Sequence, residues 1–223
     1  MSLVQEHFDQ EAARYDAWKR RNWYYYAAVK RIYQKRIPRA SSVLEVGCGT
    51  GDVLAAIAPR RGVGIDISPA MIARAREKHP SLAWYACTTS ELRNHLSETF
   101  DVIFLSDVIE HLEDVRGTFR DLRKFFNDRT RLLITMANPL WEPILLLLEW
   151  LHMKMPEGPH ERITVSALNI LLLEEGFALT SHTRELLLPM YIPLLSLIAN
   201  ALGKLPLLRS LCLIEILEYR VAP

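Results

Sequence analysis

From residue 42 onward, short runs of consecutive apolar residues alternate with segments whose apolar positions recur at helical spacing. The runs at 43–46, 62–66, 82–85, 100–105 and 131–136 have the length and composition of buried strands. Between them, 52–58, 69–78 and 113–126 read as crossover helices, the second opening with Ser68 as N-cap and Pro69 at the first helical position. Strand and helix in alternation predict βαβ units with right-handed crossovers and a parallel sheet.

The flanks have a different pattern. Residues 6–37 read as one helix, rich in rings at Phe8, Tyr15, Trp18 and the cluster Trp23, Tyr24, Tyr25 and Tyr26, with Pro38 marking its end. After the fifth strand come a very apolar helix at 141–152, a turn-rich loop at 155–161 and a helix at 165–175 closed by Gly176. A sixth strand is expected at 177–183 and a seventh at 211–221, with an apolar block at 186–202 broken by Pro189 and Pro193. The expected architecture is a doubly wound α/β fold, with a mostly parallel seven-stranded sheet and helices on both faces. An N-terminal helical cap is expected over 1–40 and the main domain over 41–223, with apolar insertions at 140–162 and 186–210.

A chain of 223 residues, half of them hydrophobic, has room for one α/β domain with a substantial core and is too short for two large ones. Cys48, Cys87 and Cys212 are odd in number and far apart, which fits neither a disulfide framework nor a cysteine zinc site. Glu6, Asp9 and Glu11 interrupt any secretory apolar run, so a cytoplasmic location is expected. The net charge of +1 hides an asymmetry: Arg14 to Arg39 holds nine Lys/Arg and one acid, Asp16, for a local +8 against −7 elsewhere. Such a segment is either a solvated helix face or a surface for phosphate or an anionic membrane. The apolar helix is too short to span a bilayer and the 186–202 block carries two prolines, so these segments read as an acceptor tunnel, a peripheral membrane contact or a homodimer interface.

The most specific chemical signal is Val43-Leu44-Glu45-Val46-Gly47-Cys48-Gly49-Thr50-Gly51, a strand entering a glycine-rich turn. Its spacing is not the G-x-G-x-x-G of dinucleotide sites, because Asp52 stands where the third glycine would be. Asp66, at the end of the second strand, stands where open α/β sheets place an acid for ribose hydroxyls. Glycine turn and acid together resemble the motifs of the class I S-adenosylmethionine-dependent methyltransferases, whose Rossmann-like sheet the strand pattern also resembles.

That resemblance implies that Gly47, Cys48, Gly49 and Gly51 present backbone to the methionine part of S-adenosylmethionine, and that Glu45 reaches its ammonium group. It further implies Asp66 on the ribose, Ile67 and Met71 packed on adenine or ribose, and Ser106 and Tyr15 at the same site. Where the family commonly has an acid facing the adenine amine, this chain has Thr88, so the Thr88 hydroxyl and Thr89 amide are expected to serve.

The fourth strand delivers Ser106-Asp107-Val108-Ile109-Glu110-His111, and a helical turn would align Asp107, Glu110 and His111 on one face. The segment resembles the Glu-x-x-Glu-His signature of ubiquinone-biosynthesis O-methyltransferases, and Met153 to His160 resembles their Pro-x-Gly-x-His loop. The resemblance implies that Asp107, Glu110, His111 and His160 gather a divalent metal such as magnesium; without one, His111 is the general base, aided by Glu110, since imidazoles as a class titrate near neutrality. The function expected is O-methylation of a hydrophobic or lipid-linked small molecule. The alternatives are C- or N-methylation, RNA 2′-O-methylation, or a cofactor-binding module without turnover. Nucleic acid is the less favoured partner, because no separate RNA-binding motif is visible.

Overall fold

The chain's structure, a computed structural model, describes residues 2–156, 158–159 and 161–222. Helix α1 spans Leu3–Arg21, with the Ser2 hydroxyl accepting from the Gln5 amide at 3.2 Å. Helix α2 follows as Trp23–Arg36, so the single helix expected over 6–37 is two, joined at an elbow on Asn22. The Asn22 backbone N–H and its carboxamide both donate to the Trp18 carbonyl, and a side chain that competes in this way for backbone favours a helix end over its interior.

Five parallel strands form the body of the sheet: β1 (Ser42–Val46), β2 (Arg61–Asp66), β3 (Ala83–Ala86), β4 (Val102–Ser106) and β5 (Arg131–Ala137). With β6 (Phe177–Glu185) and β7 (Ile214–Val221), the order across the sheet is β3-β2-β1-β4-β5-β7-β6. β7 lies antiparallel between β5 and β6, as expected of a seven-stranded, mostly parallel sheet. The chain runs outward from β1 to β3 and then restarts on the other side with β4, which puts the topological switch point between β1 and β4. Ligands of open α/β sheets lie beyond the strand ends at that point.

With α2, the helices covering the sheet are α3 (Asp52–Ile57), α4 (Pro69–Lys78), α5 (Thr89–Leu92), α6 (Val115–Leu122) and α8 (Val165–Glu174). Alternation along the strands divides the core in two. Leu44, Val46, Ile103 and Leu105 pack on one face with Phe119 and Leu122 of α6 and Leu168 and Leu172 of α8. Val43 and Phe104 pack on the other with Val29, Ile32 and Tyr33 of α2 and Leu54 and Ile57 of α3. Covered on both faces, the strands read as near-continuous apolar runs.

Three segments differ from expectation. The helix expected over 113–126 starts at Val115, capped by the Asp114 carboxylate on the Gly117 amide, and tightens into a 3-10 turn over Arg123–Phe125. The turn expected at Thr88 and Thr89 opens the short α5. Of the apolar block, only α9 (Leu195–Leu202) is helical, followed by α10 (Pro206–Arg209), because Pro189 and Pro193 push their preceding residues out of helical conformation. The apolar helix after β5 is α7 (Glu142–Trp150), and among the described residues no helix is long and apolar enough to cross a membrane.

Candidate active site

The turn after β1 takes left-handed backbone at Gly47, Gly49 and Gly51, with φ of 70°, 51° and 79°. At Gly47 a side chain is excluded twice over, since a Cβ there would lie 2.1 Å from Val108 Cγ2. The Gly47 and Cys48 amides both donate to the Ile65 carbonyl, at 2.8 and 3.0 Å, which draws the turn down onto β2. Gly47 and Gly49 face a cleft of about 760 Å³ at the switch point, within the usual range for small-molecule sites of roughly 300–1,000 Å³.

Most of the residues expected at the cofactor line this cleft: Asp66, Ile67, Met71, Thr88, Thr89, Ser106 and Tyr15. Asp66 accepts the Gly49 amide on Oδ2 at 2.8 Å and the Ser68 amide on Oδ1 at 2.9 Å. Burial raises its pKa, against the opposing pull of those two amides. Three residues stand behind the wall instead. Cys48 is buried, Gly51 packs on the Trp84 ring, and Glu45, 2% exposed, accepts the Leu54 amide of α3 at 3.2 Å. Burial pushes the Glu45 carboxyl well above the usual range, so it caps a helix beneath the glycine turn rather than facing the cleft.

Helix α1 lies over the cleft, contributing Val4, Phe8 and Tyr15 to its lining. Of the other rings of the N-terminal helices, Trp18 and Tyr25 do not line it: Trp18 sits at the far end of α1 under the Arg21 guanidinium, and Tyr25 donates to Asp107. Two sets of polar contacts hold α1 down. Asp9 accepts the Ser68 hydroxyl at 2.5 Å and the Ala70 amide at 3.2 Å, at the start of α4. Lys19 reaches Thr50 and Asp52, both at 3.0 Å, and Asp52 also holds Lys78 at 2.8 Å and His79 at 3.1 Å.

Burial would raise the Asp52 pKa, but the Lys19 charge and the hydrogen bonds from Lys78, Lys19 and His79 outweigh it and hold the carboxyl far below the usual range. A carboxylate depressed in the folded state contributes stability above its unfolded pKa of about 3.9, and that contribution is lost as pH falls below it. Thermal unfolding should therefore show Asp52→Asn less stable than wild type at pH 7, with the gap starting to narrow only below about pH 4 and still open at pH 3. Parallel curves would remove Asp52 from the clasp.

The acidic segment after β4 does not form the expected helical face. Asp107 sits in left-handed backbone with φ 53°, and Ile109–His111 is a single 3-10 turn, so the i, i+3, i+4 alignment fails. Asp107 lines the cleft, but its carboxylate receives Tyr25 Oη at 2.6 Å and Thr135 Oγ1 at 3.1 Å, from α2 and β5. Glu110 is buried, with Arg162 Nη1 3.7 Å from its Oε1. His111 lines the cleft, its Nδ1 3.2 Å from the Pro159 carbonyl and its ring edge-on to Phe8 at 5.2 Å. His160 lies outside the described residues, and among the described residues no group of three or more His, Cys, Asp or Glu is placed to hold a metal ion. The described donors do not fit a shared cation.

Glu91 was missed in the sequence. Its carboxylate lines the cleft and accepts the Thr88 amide at 2.9 Å and the Thr88 hydroxyl at 3.0 Å, while Thr88 Oγ1 accepts the Glu91 amide. The Thr-x-x-Glu spacing of a capping box over Thr88 to Glu91 was the available signal. An acid therefore stands at the lip after β3, three residues beyond the position where the resemblance looked for one.

Comparison with known proteins bears on the family and the fold. A profile of the methyltransferase domain matches residues 15–182. The ubiquinone biosynthesis O-methyltransferase of Bradyrhizobium diazoefficiens is 28% identical over 153 residues, covering 63% of this chain, and the chain spans only 60% of that relative's length. A solved S-adenosylmethionine-dependent methyltransferase from Thermotoga maritima superposes with a TM-score of 0.69 at 14% identity, over 97% of this chain and 99% of its own. The N-methyltransferase NodS of Bradyrhizobium japonicum, solved with S-adenosyl-L-homocysteine, gives 0.63 at 17% identity over 100% of both chains. At such identities these two structures share the fold, while the profile match runs from Tyr15 in the helix over the cleft to the last strand but one, and on that match the chain belongs to the S-adenosylmethionine-dependent methyltransferase domain family.

Proposed function

We propose that this chain transfers a methyl group from S-adenosylmethionine to a hydroxyl of a hydrophobic or lipid-linked small molecule, with His111 as general base. One observation carries the reading: a single cleft at the β1/β4 switch point joins the glycine turn and Asp66 to His111. The residues fit the cofactor. Each Asp66 oxygen accepts one backbone amide, and a carboxylate has about four acceptor positions, which leaves capacity for two ribose hydroxyls. Gly47 and Gly49 permit close approach of a ligand, and Ile67 and Met71 give an apolar wall for a base or ribose.

When bound, S-adenosylmethionine supplies an electrophilic methyl on a sulfonium. The chain's part is to hold the acceptor in line and take its proton. Phe8, Val108 and Leu112 give the cleft an apolar stretch near His111, beside the acids Glu113, Asp114 and Asp121, which suits an apolar acceptor body held in line. An alcohol or phenol needs a base at neutral pH more than a neutral amine does, which supports oxygen as the atom methylated. The similarity to an O-methyltransferase, at 28% identity, points the same way.

Calorimetry should show S-adenosylhomocysteine binding to wild type, weakened in Asp66→Ala by about 1–3 kcal/mol, the scale of buried hydrogen bonds left unmade. Labelled methyl transfer should enter an extracted lipid pool rather than total RNA. Absence of cofactor binding to wild type would sink the proposal.

A further inference from the structure

Helix α9 is built inside out. Ser196, 2% exposed, donates its hydroxyl to the Ile192 carbonyl at 2.7 Å. The Asn200 carboxamide bridges the Leu188 backbone, at 2.9 and 3.1 Å, and the Tyr24 hydroxyl, at 3.0 Å. Its polar side chains thus face the protein, while Leu194, Leu197 and Ile198 are 75%, 70% and 55% exposed. A helix bordering water has the opposite arrangement.

Two other elements with exposed apolar residues adjoin this surface. Next in the chain, Leu207 of α10 is 89% exposed, and the Trp141 indole at the start of α7 donates to the Leu211 carbonyl at 2.8 Å. On α7 itself Ile144, Leu147 and Leu151 are exposed at spacings of three and four, with Trp150 beside them. Beyond α7, the His152 and Met153 carbonyls accept Arg21 and Asn22 at the α1/α2 elbow, where the exposed Trp23 ring stacks 5.4 Å from Tyr191. The contacts thereby close a circuit from α7 through the elbow to α9, α10 and back. Exposed apolar patches of this extent mark interaction surfaces.

Charge selects the occupant. Residues 186–213 contain no acid and two cations, Lys204 and Arg209, both exposed. The two acids of α7 are neutralised within the chain, Glu142 by Arg162 at 2.5 Å and Glu149 by Lys154 at 3.9 Å. Beside Trp23, Arg20 and Lys30 line a second cleft whose other charges, Lys19, Lys78, Asp16 and Asp52, are paired with one another. A second copy seated face to face would set cations against cations, whereas anionic headgroups would meet them favourably.

We propose that this face docks on an anionic bilayer surface, with the outward leucines of α9 and α10 and the outer stripe of α7 in the interfacial layer and Lys204 and Arg209 among the headgroups. No helix crosses the bilayer, so the contact is monotopic. From α7 the chain continues into the loop whose Pro156 and Pro159 carbonyls meet His7 and His111, which links the docked face to the cleft. The consequence that the membrane delivers a lipid-embedded acceptor rests on the proposed function; the docking itself does not.

The test is flotation with phosphatidylcholine vesicles, with and without phosphatidylglycerol, at low and high salt, alongside calorimetry with S-adenosylhomocysteine and light scattering for oligomeric state. Binding to anionic vesicles should exceed binding to neutral ones at least about tenfold and fall with salt. Leu194→Ser with Leu197→Ser, and separately Lys204→Glu with Arg209→Glu, should each lower it about tenfold or more, with cofactor binding unchanged because these residues are exposed and none of them lines the cleft that holds Asp66. No vesicle binding, binding equal on both vesicle types, or a dimer abolished by the leucine variant with no vesicle binding would overturn the proposal. Because cofactor binding is read separately, failure of the docking surface and failure of the methyltransferase reading remain distinguishable.

Discussion

His111→Ala should lower kcat by about 10²–10⁴-fold, the contribution of a positioned general base, while leaving S-adenosylhomocysteine affinity unchanged. The expectation follows from the tautomer. The Pro159 carbonyl can only accept, so the Nδ1 placed 3.2 Å from it carries the hydrogen in the neutral ring, and Nε2 keeps the basic lone pair. Phe8 packs its ring edge-on against the imidazole at 5.2 Å, which restricts the ring's orientation under α1. His111→Asn separates chemistry from architecture: its carboxamide retains a donor for the 158–159 loop but no basic nitrogen. Turnover surviving in His111→Asn would reduce His111 to a residue that positions the loop, whereas loss in both variants at unchanged cofactor affinity supports the base.

How far the sequence carries depends on the range of the forces involved. The strands are legible because burial on both faces leaves unbroken apolar runs, and the glycine turn because its left-handed backbone excludes other residues. Glu45 is instructive. It shares a strand side with Val43, which packs against Leu54 and α3, so the two-residue period of β1 already points its carboxylate at the α3 amides rather than at the cleft. The expected face of Asp107, Glu110 and His111 failed because it presumed helical geometry where the chain makes a left-handed residue and one 3-10 turn. The clasp of α1 was not legible at all: Lys19 to Asp52, Asp16 to Lys78 and Asp9 to Ser68 join residues 33, 62 and 59 positions apart, and no local pattern records such pairing. Nor was the inversion of α9, where Leu, Ile and Ala around two small polar residues read equally well as a buried helix.

Gly47→Ala should destabilise the fold by about 2–5 kcal/mol and abolish measurable cofactor binding. Two separate causes add. Left-handed backbone at φ 70° costs an L-residue about 1–2 kcal/mol. The new Cβ, 2.1 Å from Val108 Cγ2, adds an overpacking penalty of about 1–3 kcal/mol, because a β-branched side chain cannot swing aside freely. The collision also bears on function, since Val108 and Gly47 both line the cleft and any relief moves one of its walls. A double-mutant cycle divides the two causes. In Gly47→Ala with Val108→Ala the Cγ contacts vanish and only the Val108 Cβ, 3.0 Å away, remains, so the double variant should be more stable than the sum of the single changes predicts. The backbone penalty should persist. Thermal unfolding of the four proteins measures the coupling. Strict additivity would mean that the steric term is absent, and a Gly47→Ala variant with wild-type stability and cofactor affinity would show that the turn does not need its left-handed glycine.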